Sequence, residues 1–391
     1  MDDVAKWLKD REALGFSKRG EARALHSFQE MLKPSVFWGL TVVSYERLYP
    51  RRDGLGAEPV WVCRCVCGGT VSMRTSALQN GDRKNCGRCA ELVGQGWSEQ
   101  LLRKLALSIE FEGSLGVYPS VGPKLTVGVR DYSEGLVRSL CEETGIGSVT
   151  FTSFVEEGRG RVAQWQVSGM EAVVAAQRTL PFMVCKKQQA EMLATYVIAK
   201  RDGVKVTPEL REERMRLYTR TKELNKRGPR DVNPEWAAAA GAWMDWISTA
   251  PAQQCAEILA WSIEWEGNIN VHERASRESA CGVRHGVQIG LSQSAQRVCL
   301  LEIAQKLAGG RGSIGEIRVD PRPGNAPTRS WGIEALADAK ALAQQLIPHL
   351  RYKKRLAELV TEFPECDTKP VPLDIFTKRR ALAEESKRLN S

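Results

Sequence analysis

Apolar residues recur at helical spacing near the start of the chain: Val4, Trp7 and Leu8, then Ala24, Leu25, Phe28, Met31 and Leu32, with Pro34 closing the second run. A stripe of this kind packs against a neighbour more often than it reads a ligand. The run Leu40-Thr-Val-Val-Ser-Tyr45 then reads as a strand. Further on, two segments alternate apolar and polar residues, 124–130 and 287–293, and each predicts a β-strand. A helical pattern follows each of them, opening at Glu134 or Gln296 and ending at a Gly-Ser pair, Gly147-Ser148 or Gly312-Ser313.

These segments belong to an internal repeat. The first copy opens with Leu105-Ala-Leu-Ser-Ile-Glu-Phe-Glu-Gly113 and the second with Leu259-Ala-Trp-Ser-Ile-Glu-Trp-Glu-Gly267, which differ only at the third and seventh positions. After the Gly-Ser pair each copy has a hairpin whose return strand carries Trp165 or Trp331. A helix then leads to Pro181 or Pro348, a double lysine (Lys186-Lys187 or Lys353-Lys354), and a tail ending in Leu224-Asn225 or Leu389-Asn390. Gly147 to Trp165 is 18 positions and Gly312 to Trp331 is 19, so the two copies hold register. Each copy reads helix, two strands, helix, two strands, helix. The division is a helical segment over 1–33, a cysteine-rich module over 34–95, repeats over 98–225 and 251–391, and a linker over 226–250 rich in charge, Gly, Pro and Ala.

The length of 391 residues suits two or three domains. With 42% hydrophobic and 26% charged residues, wholesale disorder and fibrous architectures are excluded. No apolar run reaches the roughly 18 residues of a membrane span. The opening MDDVAKWLKDRE lacks the basic and then apolar stretches of a signal peptide, so the protein is expected inside the cell. Lysine and arginine exceed the acids by 56 − 47 = 9, which favours a polyanionic partner, nucleic acid first.

The chain has 11 cysteines, an odd number pointing to reduced thiols or metal ligands over a disulfide framework. Five of them, Cys63, Cys65, Cys67, Cys86 and Cys89, fall in two tight knuckles with about one strand and one short helix between them. A tetrahedral Zn²⁺ takes four thiolates. Cys65, Cys67, Cys86 and Cys89 are favoured because glycines lie beside them where the backbone must turn, and Cys63 is the alternate ligand. Buried reduced thiols without metal are the competing reading. Arg51, Arg52, Arg64, Arg74, Arg83, Lys84 and Arg88 surround the cluster, which fits docking on a DNA backbone. The pattern W-x-C-x-C-x-C-G with a later C-G-x-C resembles small cysteine-rich modules of phage and mobile-element endonucleases.

The twice-occurring L-A-x-x-I-E-x-E-G, with the strand pattern and the lysine after it, resembles the LAGLIDADG homing endonuclease family in its single-chain, two-motif form, over roughly residues 98 to 391. The resemblance implies an α+β fold: two pseudo-symmetric αββαββα repeats with saddle-shaped antiparallel sheets, here preceded by the helical segment and a small zinc-stapled β module. It implies that the motif helices pair at a pseudo-twofold axis and bring Glu112 and Glu266 to the scissile phosphates. Carboxylates there hold Mg²⁺, a hard cation suited to oxygen ligands. Glu110 and Glu264 take a supporting role, and Lys186 and Lys353 match the family's active-site lysine.

The outer face of each sheet enters the major groove in the family. Candidate DNA contacts are Arg130, Arg159, Arg161, Gln164 and Gln166 in the first half, and Arg284, Gln288, Gln293, Arg318 and Arg329 in the second. Four residues depart from the family pattern: Leu107, Phe111, Trp261 and Trp265 stand where small residues usually let the motif helices approach. Gly128 and Gly290 stand where a polar strand residue often lies near the metal.

The implied activity is a metal-dependent, staggered double-strand break at a long DNA target, made by a monomer without membrane attachment. Splicing blocks of an intein are not evident. Non-cleaving members of the family, RNA maturases and transcription regulators, give the alternative function and leave intron RNA open as a partner. A zinc hydrolase is disfavoured because the four histidines, His26, His272, His285 and His349, form no H-E-x-x-H pair.

Overall fold

A computed structural model of the chain describes residues 3–16, 21–32, 36–37, 40–50, 57–65, 70–79, 96–118, 122–130, 133–151, 161–196, 207–225, 234–276, 283–320, 322, 326–366 and 370–390; for residues 21–23, 36–37, 65, 130, 210 and 234, Cys65 and Arg130 among them, only the backbone is described. The chain divides into two compact units, 1–95 and 96–391. No helix among the described residues is long and apolar enough to cross a membrane.

In the first unit, β1 (Val36–Phe37), β2 (Leu40–Pro50), β3 (Ala57–Cys65) and β4 (Thr70–Arg74) form an antiparallel sheet in that order. Helices α1 (Asp3–Ala13), α2 (Glu21–Leu32) and α3 (Thr75–Gln79) accompany it. The helical stripe is core: Trp7 stacks on Phe28 at 4.8 Å, and Phe28 meets Tyr45 and Trp61 of the sheet at 5.1 and 4.9 Å. Two of these aromatics have their polar ends satisfied, Tyr45 donating to Asp10 at 2.7 Å and the Trp61 indole to Thr75 at 2.8 Å, whereas the buried Trp7 indole nitrogen has no partner.

Cys63 points into this core, and burial pushes its thiol up to about 11. Cys67, Cys86, Cys89 and the side chain of Cys65 lie outside the described residues, and among the described residues no three metal-ligating side chains come together.

The second unit holds the two repeats. The first runs α4 (Glu99–Glu112), β5 (Gly113–Tyr118), β6 (Gly122–Arg130), α5 (Glu134–Thr144), β7 (Ser148–Phe151), β8 (Val162–Ser168), α6 (Met170–Thr179), α7 (Lys187–Ala194) and α8 (Pro208–Leu224). After α9 (Pro234–Thr249), the second runs α10 (Ala252–Glu266), β9 (Gly267–Ala275), β10 (Val283–Ser294), α11 (Val298–Leu307), β11 (Ser313–Ile314), β12 (Thr328–Ile333), α12 (Leu336–Leu346), α13 (Lys354–Glu362) and α14 (Leu373–Leu389). The sheets have matching order, β5-β6-β8-β7 and β9-β10-β12-β11, and every pairing is antiparallel.

The signals shared by the two copies have shared physical causes. Trp165 and Trp331 are fully buried and donate their indole N–H to Ile146 O and Arg311 O, both at 2.9 Å. The glycine after each acceptor has positive φ, +72° at Gly147 and +78° at Gly312. A Cβ there would also stand within 3 Å of the Trp nitrogen. At the tails, Asn225 and Asn390 donate to Leu115 O and Ile269 O, while Thr221 and Ser386 accept from Val117 N and Val271 N. The last helix of each repeat thus satisfies backbone groups on the edge strand, β5 or β9, that would otherwise be unpaired.

Within the linker, residues 234–249 form a packed helix. Trp243 is 1% exposed and donates to Phe182 O at 3.0 Å. The Arg103 guanidinium lies over the Phe182, Trp243 and Trp246 rings at 4.7, 4.8 and 4.0 Å. α9 therefore ties the first motif helix to the start of the second repeat through cation–π contacts.

Candidate active site

The motif helices α4 and α10 pack side by side. The bulky residues do not keep them apart: Leu107, Phe111, Trp261 and Trp265 are all buried, and the Trp261 indole bridges to the other helix, donating to Lys104 O at 3.1 Å and Ser108 Oγ at 2.9 Å. Lys104 also pairs with Glu257 at 2.5 Å, and Gln100 donates to the same carboxylate. Fully buried Ala106 and Ala260 supply small volume beside the large side chains. The helices end together at Gly113 and Gly267, where a Cβ would lie 2.5 and 2.6 Å from Ile109 Cα and Ile263 Cα, so only glycine allows the immediate passage into β5 and β9.

Glu112 and Glu266, the last helical residues, come within hydrogen-bonding reach of each other. Burial and the neighbouring Glu112 carboxylate push Glu266 up to about 8, against the opposing pull of Lys353 and Lys186. Beside them is a cavity of about 320 Å³, lined by Glu112, Glu264, Trp265 and Lys353 and, from the first sheet, by Gly128, Val129 and Val162.

Lys186 and Lys353 close the helix ends in the same way. Lys186 Nζ donates to Ile109 O and Gly113 O at 2.7 Å each; Lys353 Nζ donates to Ile263 O, Glu264 O and Gly267 O at 2.5, 3.0 and 2.8 Å. A cation at a helix C-terminus meets the negative end of the dipole. Burial brings both lysines down to about 8, Arg297 adding to the effect at Lys186 while Glu264 and Glu266 oppose it at Lys353.

Glu110 and Glu264 hold the loops that carry these lysines. Glu110 Oε1 accepts from Val184 N at 2.7 Å and Lys186 N at 3.1 Å. Glu264 Oε1 accepts from Arg351 N, Tyr352 N and Lys353 N at 2.7, 2.9 and 3.2 Å. Both Oε2 atoms are buried without a hydrogen-bond partner.

The sheets sort the proposed base contacts by parity. In the first sheet Gln164 and Gln166 pair opposite Gly128 and Thr126 on the face away from the buried Trp165, and the Arg130 backbone continues that row. Arg284 and Gln288 share the equivalent face of the second sheet, with Asn268, Asn270, His272 and Arg274 opposite them on β9. Sequence reading missed these β9 residues, together with Lys124, Ser148 and Thr150, because none stood out as arginine or glutamine. Ser148 and Thr150 are placed on the face by pairing with Gln166 and Gln164.

Three candidates fall elsewhere. Arg161 has the parity of buried Ala163 and stacks on Phe151 at 4.2 Å. Arg329 has the parity of buried Trp331 and donates to Gly315 O at 3.0 Å. Gln293 is 7% exposed and shares the buried side of β10 with Leu291. One residue of offset moves a side chain to the opposite face. Arg318 is exposed at an isolated bridge to Thr328, and Arg159 lies outside the described residues.

The registers also correct the pairing of Gly128 with Gly290. Gly113 faces Val127 and Gly267 faces Leu291, so Val129 corresponds to Gln293 and Gly290 to Thr126. Val129 lines the cavity. Gln293 therefore holds, in the second half, the position that borders the site in the first. Arg297 was also missed: it precedes α11 and donates from Nη1 to Glu110 O at 2.9 Å, a cross-repeat contact that no local pattern announces.

No protein-family model matches the chain, and no curated protein matches it. Solved structures do. The LAGLIDADG meganuclease I-AabMI, crystallised bound to uncleaved DNA, superimposes with a TM-score of 0.51 at 12% identity, covering 72% of this chain and 98% of its own. The homing endonuclease I-SmaMI bound to cleaved DNA gives 0.43 at 13% identity over 73% of this chain and 93% of its own. I-CvuI in complex with the I-CreI target gives 0.31 at 18% identity over 35% and 83%. The likeness to I-AabMI shows the fold alone: two repeats in one polypeptide, each built in the order αββαββα.

Proposed function

We propose that this chain is a site-specific DNA endonuclease that makes a metal-dependent, staggered double-strand break at a long duplex target. The observation that carries the reading is the meeting of Glu112 and Glu266 at the paired helix ends, each with a lysine on the adjoining carbonyls. A purely structural helix pair has no use for two carboxylates in contact, since like charges at that separation raise each other's cost of ionisation.

The donor set fits Mg²⁺, which the protein would hold through Glu112 and Glu266, leaving further coordination to phosphate oxygens and water. When bound, it supplies Lewis acidity and charge neutralisation at the phosphate. The chain's own residues do the rest. Lys186 and Lys353, fixed by three and four hydrogen bonds through their Nζ and backbone N–H groups, place positive charge where the phosphate becomes more negative. Glu110 and Glu264 orient those loops. Gln164, Gln166, Arg284 and Gln288 read base edges from the outer faces of the sheets. A monomer suffices because both halves lie in one chain, and a Zn²⁺ held by Cys65, Cys67, Cys86 and Cys89 would staple the first unit as an added DNA contact. An intracellular protein of a mobile element is the setting this activity suits.

Incubation with a randomised duplex library and Mg²⁺, followed by sequencing of the cut ends, tests the reading. Recovery of one recurrent site with staggered ends is expected. Selective binding without any cut product would replace it with a non-cleaving maturase or regulator.

A further inference from the structure

We infer that Cys185 and Cys299 form an oxidation-sensitive thiol pair, able to close into a disulfide that ties the lysine loop of the first repeat to α11 of the second. Their sulfurs stand 3.6 Å apart, and both are free thiols in the protein as described. They are separated by 114 residues in sequence, so the contact is made by the fold and not by a local turn. Cys185 sits between Val184 and Lys186, whose N–H groups are both held by Glu110, and Cys299 is the second residue of α11. Each sulfur is thus mounted on a fixed backbone. Closing to a bond of about 2.05 Å requires roughly 1.5 Å of approach.

The surroundings favour Cys299 as the first to react. Its thiol is lowered by the hydrogen bond shared with Cys185 and by the N–H of Leu300 at the start of the helix, whereas that same hydrogen bond, with burial, raises Cys185. Arg297 and Lys186 put positive charge beside the Cys185 sulfur, which opposes the rise there without reversing it. The sulfur residues are 6% and 7% exposed, which suits a small oxidant of the peroxide class and excludes bulky ones.

The chemistry balances with hydrogen peroxide as oxidant. The Cys299 thiolate attacks one peroxide oxygen, an S–O bond forms, the O–O bond breaks, and water leaves once a proton is taken up. The Cys185 sulfur then attacks the Cys299 sulfenic acid, the S–S bond forms, the S–O bond breaks, and a second water leaves with the Cys185 proton. Two thiols are oxidised and one peroxide is reduced. The bond pulls on the residue next to Lys186, so the loop bearing this lysine becomes covalently joined to the opposite repeat. A loss of cleavage on oxidation would rest on the nuclease reading; the disulfide itself does not.

The test is peptide mass mapping of the full chain, reduced, exposed briefly to hydrogen peroxide without DNA, blocked, and digested without reductant. A peptide containing Cys185 linked to one containing Cys299 is expected, lost on treatment with dithiothreitol and absent from Cys185→Ser. Recovery of the two peptides unlinked, as free thiols, as separate sulfinic acids or paired to other cysteines, would overturn the inference. The wild-type map decides even if the variant folds poorly. Cleavage of a selected target by the oxidised chain, expected to fall by about tenfold and to return with dithiothreitol, is read separately. A disulfide without that loss leaves the thiol pair standing and counts against the role of Lys186.

Discussion

Lys186 and Lys353 make nearly the same bonds to the ends of the two motif helices, yet the loops that carry them are seated on different chemistry. The second loop lies against α5 of the first repeat through polar groups: Arg351 donates to Ser139 and pairs with Glu143 at 3.5 Å, and a side chain at Gly135 would overlap the Tyr352 hydroxyl. The first loop meets α11 of the second repeat through the sulfurs of Cys185 and Cys299, with Arg297 reaching past them to Glu110 O. The acid and lysine skeleton is repeated; its supports are not. Duplicated backbone geometry therefore fixes where the chemistry sits, while the two halves are free to differ in rate and in response to their surroundings.

The largest expected effect tests what the halves share. Glu112→Gln and Glu266→Gln should each lower double-strand cleavage by at least about 10² to 10³-fold, the scale of losing one charge-stabilising group in an active site, with binding retained. Linearisation of a plasmid bearing the selected site measures it. A single variant that linearises at the normal rate would show that the two carboxylates are not equivalent partners.

How far this comparison was legible beforehand depended on range. The αββαββα order of both repeats is observed as the sequence predicts, because alternation, Gly113, Gly267, Gly147, Gly312 and the two tryptophans are local demands of backbone and packing. The faces of Arg161, Gln293 and Arg329 were not legible, since strand parity turns on a single residue of register. Arg297 and the contact of Cys185 with Cys299 were invisible for a different reason: they join residues more than 100 positions apart, and nothing near them in sequence records the partner.

Register makes a second prediction. Gln288 lies on the outer face and Gln293 on the buried side of the same strand. Gln288→Ala should relax preference at one base position by about 1 to 3 kcal/mol, read from the selected sequences, while Gln293→Ala leaves base preference unchanged. Equal relaxation in both would place the strand the other way round.

A third prediction uses protons. Glu266 keeps its proton up to about pH 8 in the fold but releases it near 4.5 when unfolded, so its contribution to stability is lost as pH rises across that window. Lys186 and Lys353 are lowered from 10.5 to about 8, so their contribution is present above 10.5 and lost as pH falls toward 8. These groups together place a stability minimum near pH 8 in metal-free protein, with an amplitude on the order of 1 to 2 kcal/mol, or a few degrees in Tm. Thermal unfolding in chelator across the pH range measures it. Glu266→Gln should flatten the acid limb and keep the alkaline one; an unchanged profile in that variant would remove Glu266 as its cause.

The smallest effect bears most directly on the difference between the halves. Arg297 touches the first motif helix and stands near enough to Lys186 to lower it, whereas burial is the only lowering influence on Lys353. Arg297→Ala removes one hydrogen bond and one positive charge from a single half-site. The expected loss is about tenfold, near 1.4 kcal/mol, in the cutting of one DNA strand. The other strand should be cut at the original rate, so nicked duplex should accumulate. Lys186 should titrate higher in the variant, because the neighbouring cation that disfavours its charged form is gone. A duplex labelled differently on its two strands, cut under single-turnover conditions at several pH values, separates the two rates. Equal slowing of both strands would mean that Arg297 supports the helix pair as a whole, and the two half-sites would then be chemically alike despite their different seating.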